Sequence, residues 1–192
     1  MARNADRRQA LTDAGIRVLA ESGARGLTHR AVDAAARVPT GTASNYFASR
    51  DELIAALVER IGERLTPDPD AVASPPERAR DRALVTDFVR DVARRLTADP
   101  HVALALFELR LEATRRPSVA ETLSAWRQRA FEDDVRFHTA RGLPGGRTEI
   151  ALLHHAIDGL MLDRLTIPLD TGVSAEDAAA ALVERILGPV TE

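Results

Sequence analysis

Cysteine is absent from the 192 residues, so disulfides and thiolate metal sites are excluded and nothing points to secretion. Lysine is absent as well: all 26 basic residues are arginine, which beside the many alanines fits GC-rich coding and carries no mechanistic weight. No run approaches the ~20 apolar residues that cross a bilayer. The opening MARNADRRQALTDAG has no long apolar run behind its charges, so a signal peptide is not expected and the chain is placed in the cytoplasm. Missing too are HExxH, GxSxG and a phosphate-cradling glycine loop. His154 and Asp158 are spaced to share a helix face, with His155 beside them, but one such pair falls short of a zinc set. The expectation is no enzyme, no cofactor and no metal. Strand-like alternation is lacking throughout, which leaves an all-α chain.

What is present is unevenly spread. Residues 1–50 hold eight arginines and four acids, whereas residues 51–192 hold 18 and 25. A basic head on an acidic body suits a protein that meets phosphates with one end.

Leu11, Gly15, Val18 and Leu19 predict a first helix over residues 5–22, ended by Gly23 and Gly26. Arg3, Arg7 and Arg8 on its polar side face either DNA phosphates or solvent. Thr28 can cap a short helix to Ala36, Arg37-Val38-Pro39 breaks it, and a second short helix runs from about Thr40 to Phe47. Val32, Ala35, Val38, Ala43 and Phe47 supply the apolar contacts between the two. Two short helices joined by such a turn are helix-turn-helix geometry, whose second helix enters the major groove. Its polar side is Thr40, Gly41, Thr42, Ser44 and Asn45. Asn45 suits an adenine edge, Thr42 a thymine methyl, and Gly41 lets the backbone come close. Arg30 is in reach of a base edge or a phosphate, and His29 stands beside the cap.

Ser49 and Glu52 form a capping box for a helix to about Leu65, with Leu53, Ile54, Leu57, Val58 and Ile61 as its buried stripe. TPDPDAVASPPE (66–77) is the clearest break, and the expected domains are 1–66 and 67–192. Further helices are predicted over 77–97, 100–116, from a second capping box at Ser118 and Glu121 to about Ala140, over 147–167, and from a Ser174 cap to about Leu187. The helix from Val102 to Leu111 is apolar on nearly every side and is expected to be buried. The total is about nine helices without a repeat.

The segment VPTGTASNYFASRDEL resembles the recognition-helix signature of the TetR (tetracycline-repressor) family of bacterial regulators. Val38, Gly41, Thr42, Tyr46, Phe47, Ser49, Glu52 and Leu53 match it in order and spacing. Three positions depart: Arg37 stands where a glycine usually ends the first helix, Ser44 where tyrosine is common, and Arg50 where lysine is usual. Arg37 therefore either strains the turn or adds a phosphate contact. The resemblance implies a three-helix DNA-binding head and a helical body that binds a ligand and dimerises. It also implies phosphate contacts at Thr28, Tyr46 and Arg50, and pairing of the last two helices with their copies. Ile157, Ala178, Ala181, Leu182 and Ile186 are the candidate dimer residues.

Bundles hold small molecules between their helices. Phe88, Leu104, Phe107, Leu111, Trp126 and Met161 are candidate apolar walls, with Arg110, His155 and Asp158 as polar groups near them; the same spacing serves an ordinary core. The expected function is a ligand-responsive regulator, more a repressor than an activator. It binds double-stranded operator DNA as a homodimer and is released by a small-molecule effector. The alternatives are a helical small-molecule-binding protein or enzyme, or an interaction module that no longer binds DNA.

Overall fold

A computed structural model describes residues 2–66 and 80–188, with side chains from residue 4 onward. Residues 67–77 of the expected break, residues 77–79 of the helix expected after it, and the Arg3 side chain lie outside what is described.

Among the described residues there are nine helices: α1 (Ala2–Gly26), α2 (His29–Ala35), α3 (Thr42–Tyr46), α4 (Arg50–Leu65), α5 (Arg82–Ala98), α6 (Pro100–Ala113), α7 (Pro117–Arg141), α8 (Arg147–Leu165) and α9 (Ala175–Leu187). No helix among them is long and apolar enough to cross a membrane. They pack as two compact units, Met1–Thr66 with Pro100–Arg127, and Pro67–Asp99 with Gln128–Glu192.

In the first unit α1 packs on α2, α4 and α6, and α2 on α3. One core joins them: Leu11, Ile16, Leu19, Leu27, Val32, Phe47, Leu53, Leu57, Ile61 and Leu109 are all fully buried. Gly23, at φ +66° and ψ 179°, breaks α1 near its end as its glycine signal predicts. The Glu108 carboxylate accepts the N–H of Ala24 just beyond, at 3.3 Å. Arg60 on α4 grips Asp13 on α1 with two nitrogens, at 2.8 and 3.1 Å.

Two expectations are corrected here. Pro117 is the first residue of α7, where its missing N–H costs nothing, and Val119 and Ala120 donate to the Arg116 carbonyl. Ser118 is thus one residue inside the helix, and the proposed capping box is not formed. α6 is buried along Val102, Ala103, Ala105, Leu106 and Leu109, but Leu111 is 55% exposed, so the helix is not covered all round.

In the second unit α9 packs on α5 and α8. Leu84, Val85, Leu143, Leu153 and Val183 form its core, with Phe88, Phe137 and Ile186 against them. Asp81 and Ser174 cap α5 and α9 through their side chains.

Candidate nucleic-acid interface

Every bond that shapes the α2–α3 pair can be named. Thr28 is extended, and its hydroxyl accepts the Ala31 N–H at 3.1 Å, which starts α2. At the other end Arg37 donates to the Ala34 carbonyl at 3.1 Å and Val38 to the Asp33 carbonyl at 3.0 Å. This pair of bonds is the Schellman termination, which places the residue after the cap in the left-handed region. That residue is Arg37, with φ 55°, alone among the described non-glycine residues in having positive φ. For a residue with a Cβ this conformation costs on the order of 1–2 kcal/mol.

Asp33, 2% exposed, fixes the next step. Its carboxylate accepts the Gly41 N–H at 2.7 Å and the Ala43 N–H at 2.6 Å, so α3 is tied to α2 by a charge-assisted pair. Gly41 sits at φ +93°, with open space where a Cβ would be. Val32, Ala43 and Phe47 close the interface beneath, and Val38, Ala35 and Tyr46 pack at its margin.

The outer edge is polar. Thr40, Ser44 and Asn45 are exposed and Thr42 is half-buried. Two hydroxyls are occupied internally, Thr42 donating to the Pro39 carbonyl at 2.6 Å and Ser44 to that of Gly41 at 2.9 Å. The Asn45 amide and the Thr40 hydroxyl have no partner among the described residues. The same holds for the exposed Arg30 and Arg37.

Other expected contacts are placed differently. His29 meets the Phe47 carbonyl through Nε2 at 2.8 Å; since a carbonyl only accepts, Nε2 carries the proton, and the ring joins α2 to the end of α3. Arg50 is turned inward. Its guanidinium donates to the carbonyls of Ala24 (2.6 Å) and Leu27 (3.1 Å) and lies 3.8 Å from Glu112, while Nε is buried without a partner. His29 and Arg50, both expected from the sequence to contact DNA, are thus each engaged by the fold in the free chain. The Tyr46 ring packs on the core, 6.4 Å from that of Phe47. Arg8 lies over the Phe47 ring at 5.3 Å.

The candidate ligand residues fall into both units. In the first, the half-buried Trp126 packs on Gly62 of α4 and against the core, and the Arg110 guanidinium stands 5.9 Å from the Phe107 ring. Leu104 is half-buried. In the second, Phe88 meets Phe137 edge-on at 5.4 Å, Met161 is buried, Asp158 half-buried and His155 exposed. His154 pairs with Asp134 at 2.9 Å instead of lying free for a metal, and among the described residues no group of three metal-ligating side chains gathers. A groove of ≈ 600 Å³ between α5 and α9 is lined by charged and small residues, Arg82, Arg90, Asp177 and Glu184 among them, and by none of the nine candidates.

Of the candidate dimer residues Ile157, Ala178 and Leu182 are half-buried and Ala181 is exposed. Ile186 is half-buried and packs against the core of its own unit. Larger apolar groups that the helical pattern did not single out are exposed instead: Leu152 (47%) and Leu162 (48%) on α8, then Ile167, Leu169 and Val173. Gly159 lies between the two leucines with open space beside it.

Comparison with known proteins bears on this geometry. Residues 80–189 match the model described as Tetracyclin repressor-like, C-terminal domain, and residues 11–57 match that for bacterial regulatory proteins, tetR family. The HTH-type transcriptional regulator BetI of Rhizobium meliloti (strain 1021) is 29% identical over 123 residues, 64% of this chain. The chain spans 60% of that regulator's length. Among solved structures, multidrug binding protein EbrR complexed with imidazole is similar at 30% identity over 97% of each chain, with a TM-score of 0.64. The same protein complexed with ethidium gives 28% identity over 95% of this chain and 99% of that one, with a TM-score of 0.67. A TetR-family member from Streptomyces coelicolor A3 is 29% identical over 95% of this chain and 99% of its own, with a TM-score of 0.70.

Proposed function

The chain belongs to the TetR family of bacterial regulatory proteins, and we propose that it is a ligand-responsive repressor gripping a near-palindromic operator as a homodimer. The observation that carries this reading is the α2–α3 pair: a turn fixed by Asp33, followed by a helix whose Asn45 amide meets nothing within the described chain. Phosphate contacts fix register and base contacts specify sequence. Thr28, Arg30, Thr40, Gly41, Thr42 and Ser44 flank the DNA, Asn45 reads a base edge, and Tyr46 offers its hydroxyl to a phosphate. His29 and Arg50 hold that surface in shape.

One recognition helix spans few base pairs, so a second copy related by two-fold symmetry completes the site. The exposed Leu152 and Leu162 on α8 support pairing there. Residues 1–66 are then the DNA-binding domain with its connecting helix, and 67–192 the ligand-binding and dimerisation domain. A small organic effector is supported by the EbrR complexes with imidazole and ethidium. A cytoplasmic location, beside the chromosome, goes with this role, and catalysis has no part in it.

Release is a matter of linkage. The end of α6 is bonded to the end of α1 and the start of α4 through Glu108, Glu112 with Arg50, and Arg116 with Asp51 at 3.0 Å. An effector that displaces α6 thereby displaces α4, and the two recognition helices lose the spacing of successive major grooves. The test is binding to duplexes that the protein enriches from a random library. Affinity falls steeply with salt, and Asn45→Ala abolishes sequence preference while the helical spectrum is kept. Binding indifferent to both sequence and salt overturns the reading.

A further inference from the structure

The strain at Arg37 has no structural return. The Schellman turn needs a left-handed residue, glycine meets that need without strain, and the Arg37 side chain is exposed and makes no hydrogen bond or ion pair among the described residues. Strained backbone persists where the surroundings over-determine it, and such positions cluster at functional sites. Here the surroundings are the two bonds that end α2 and the two that Asp33 makes to Gly41 and Ala43. The turn is therefore a rigid mount, and the arginine on it stands three residues before Thr40.

A second observation bears on the supply of charge. Arg50, the other arginine that borders α3 in sequence, is spent on the Ala24 and Leu27 carbonyls and on Glu112. From Thr28 to Arg50 the cations left without an internal partner are Arg30 and Arg37.

We propose that Arg37 is a phosphate-anchoring residue, gripping the DNA backbone from the α2–α3 turn beside the groove that α3 enters. This rests on the regulator reading above and adds to it a contact at a position where a glycine would be easier to fold. A guanidinium matches two phosphate oxygens at once, and its fixed mount lowers the ordering cost of the contact.

The proposal requires that folding and DNA binding respond to one substitution with opposite signs. Duplexes enriched by the wild-type chain from a random library serve as the probe, with thermal melting measured beside them. Arg37→Gly raises the melting temperature, weakens binding roughly tenfold on every enriched sequence, and makes the salt slope shallower by about one per copy bound. Arg37→Gln keeps the strain and loses the charge, so it loses affinity without gaining stability; Arg37→Lys retains most of the binding. If Arg37→Gly binds with wild-type affinity and salt slope, the anchoring role is overturned and the regulator reading stands. If the wild-type chain enriches no duplex, the regulator reading fails and the anchor with it.

Discussion

The carboxylate of Asp33 reaches across the α2–α3 turn and accepts the backbone N–H of Gly41 at 2.7 Å. Its second oxygen takes the Ala43 N–H, so one buried side chain fixes where α3 begins. Asp33→Ala orphans both N–H groups, and hydrogen bonds to charged acceptors contribute about 1.5–3 kcal/mol each. We expect a loss of roughly 3 kcal/mol in urea denaturation, with operator binding falling further than stability alone explains. A wild-type unfolding midpoint would refute this.

Arg50 offers a clean separation of two roles. Arg50→Ala removes the guanidinium bonds to the Ala24 and Leu27 carbonyls, the former keeping only the longer bond from the Leu27 N–H, and should destabilise the fold by about 1–2 kcal/mol. Because the guanidinium is engaged by these carbonyls, the salt slope of DNA binding stays as in the wild type. A slope shallower by about one would mean that Arg50 meets a phosphate after all.

Acid should weaken the second unit in a defined window. Arg147 donates to both oxygens of Glu132, and this pair, chiefly through its hydrogen bonds, lowers the Glu132 carboxyl from 4.5 to about 2. A carboxylate whose folded pKa is depressed contributes stability above its unfolded value and loses it as the pH falls toward the folded one. Wild type therefore loses stability relative to Glu132→Gln between pH 4.5 and 2, by a modest amount since both groups are exposed. Parallel curves through that window would dismiss the pair.

Gly62 is a place where helix propensity and packing disagree. Alanine in its place favours the helix by about 1 kcal/mol. Its Cβ, however, would stand 2.4 Å from Nε1 of Trp126, and overfilling a packed contact costs about 1–3 kcal/mol. The ring packs against the core of the first unit, so Gly62→Ala should lower the melting temperature by a few degrees. A rise in melting temperature would show that the indole moves aside freely.

Pairing through α8 can be tested without DNA. Leu152→Glu with Leu162→Glu places charge on groups already half exposed, so the fold should survive while sedimentation shows monomers. Operator affinity should then drop by more than an order of magnitude, because only half a site is held. A stable dimer in the double variant would send the search to another face.

Local features were readable from the residue string because their causes are local. Thr28, Ser49 and Ser174 announce helix starts by side-chain chemistry within three residues, and each makes that bond. Val32, Ala43 and Phe47 follow from spacing alone. What the residue string does not show lies where the partner is distant in sequence or where two local signals compete. Pro117 and Ser118 both suit a helix start, and the proline prevails because its fixed φ and missing N–H fit the first helical position. Asp33 gives only the weak signal of an acid on an apolar stretch, since its two donors sit eight and ten residues away. Arg50 reads as a free cation until the ends of α1 and α6 come within reach of it. Leu111 shows the limit of periodicity, which marks a stripe without saying which stretch of it stays exposed.

The chain holds a single tryptophan, and its indole rests against Gly62 on the helix that follows the recognition segment. Light emitted from Trp126 therefore comes from one known spot beside α4. A shift in its colour or intensity as a small molecule is titrated would follow that helix without any attached dye, and would test candidate effectors in the same cuvette.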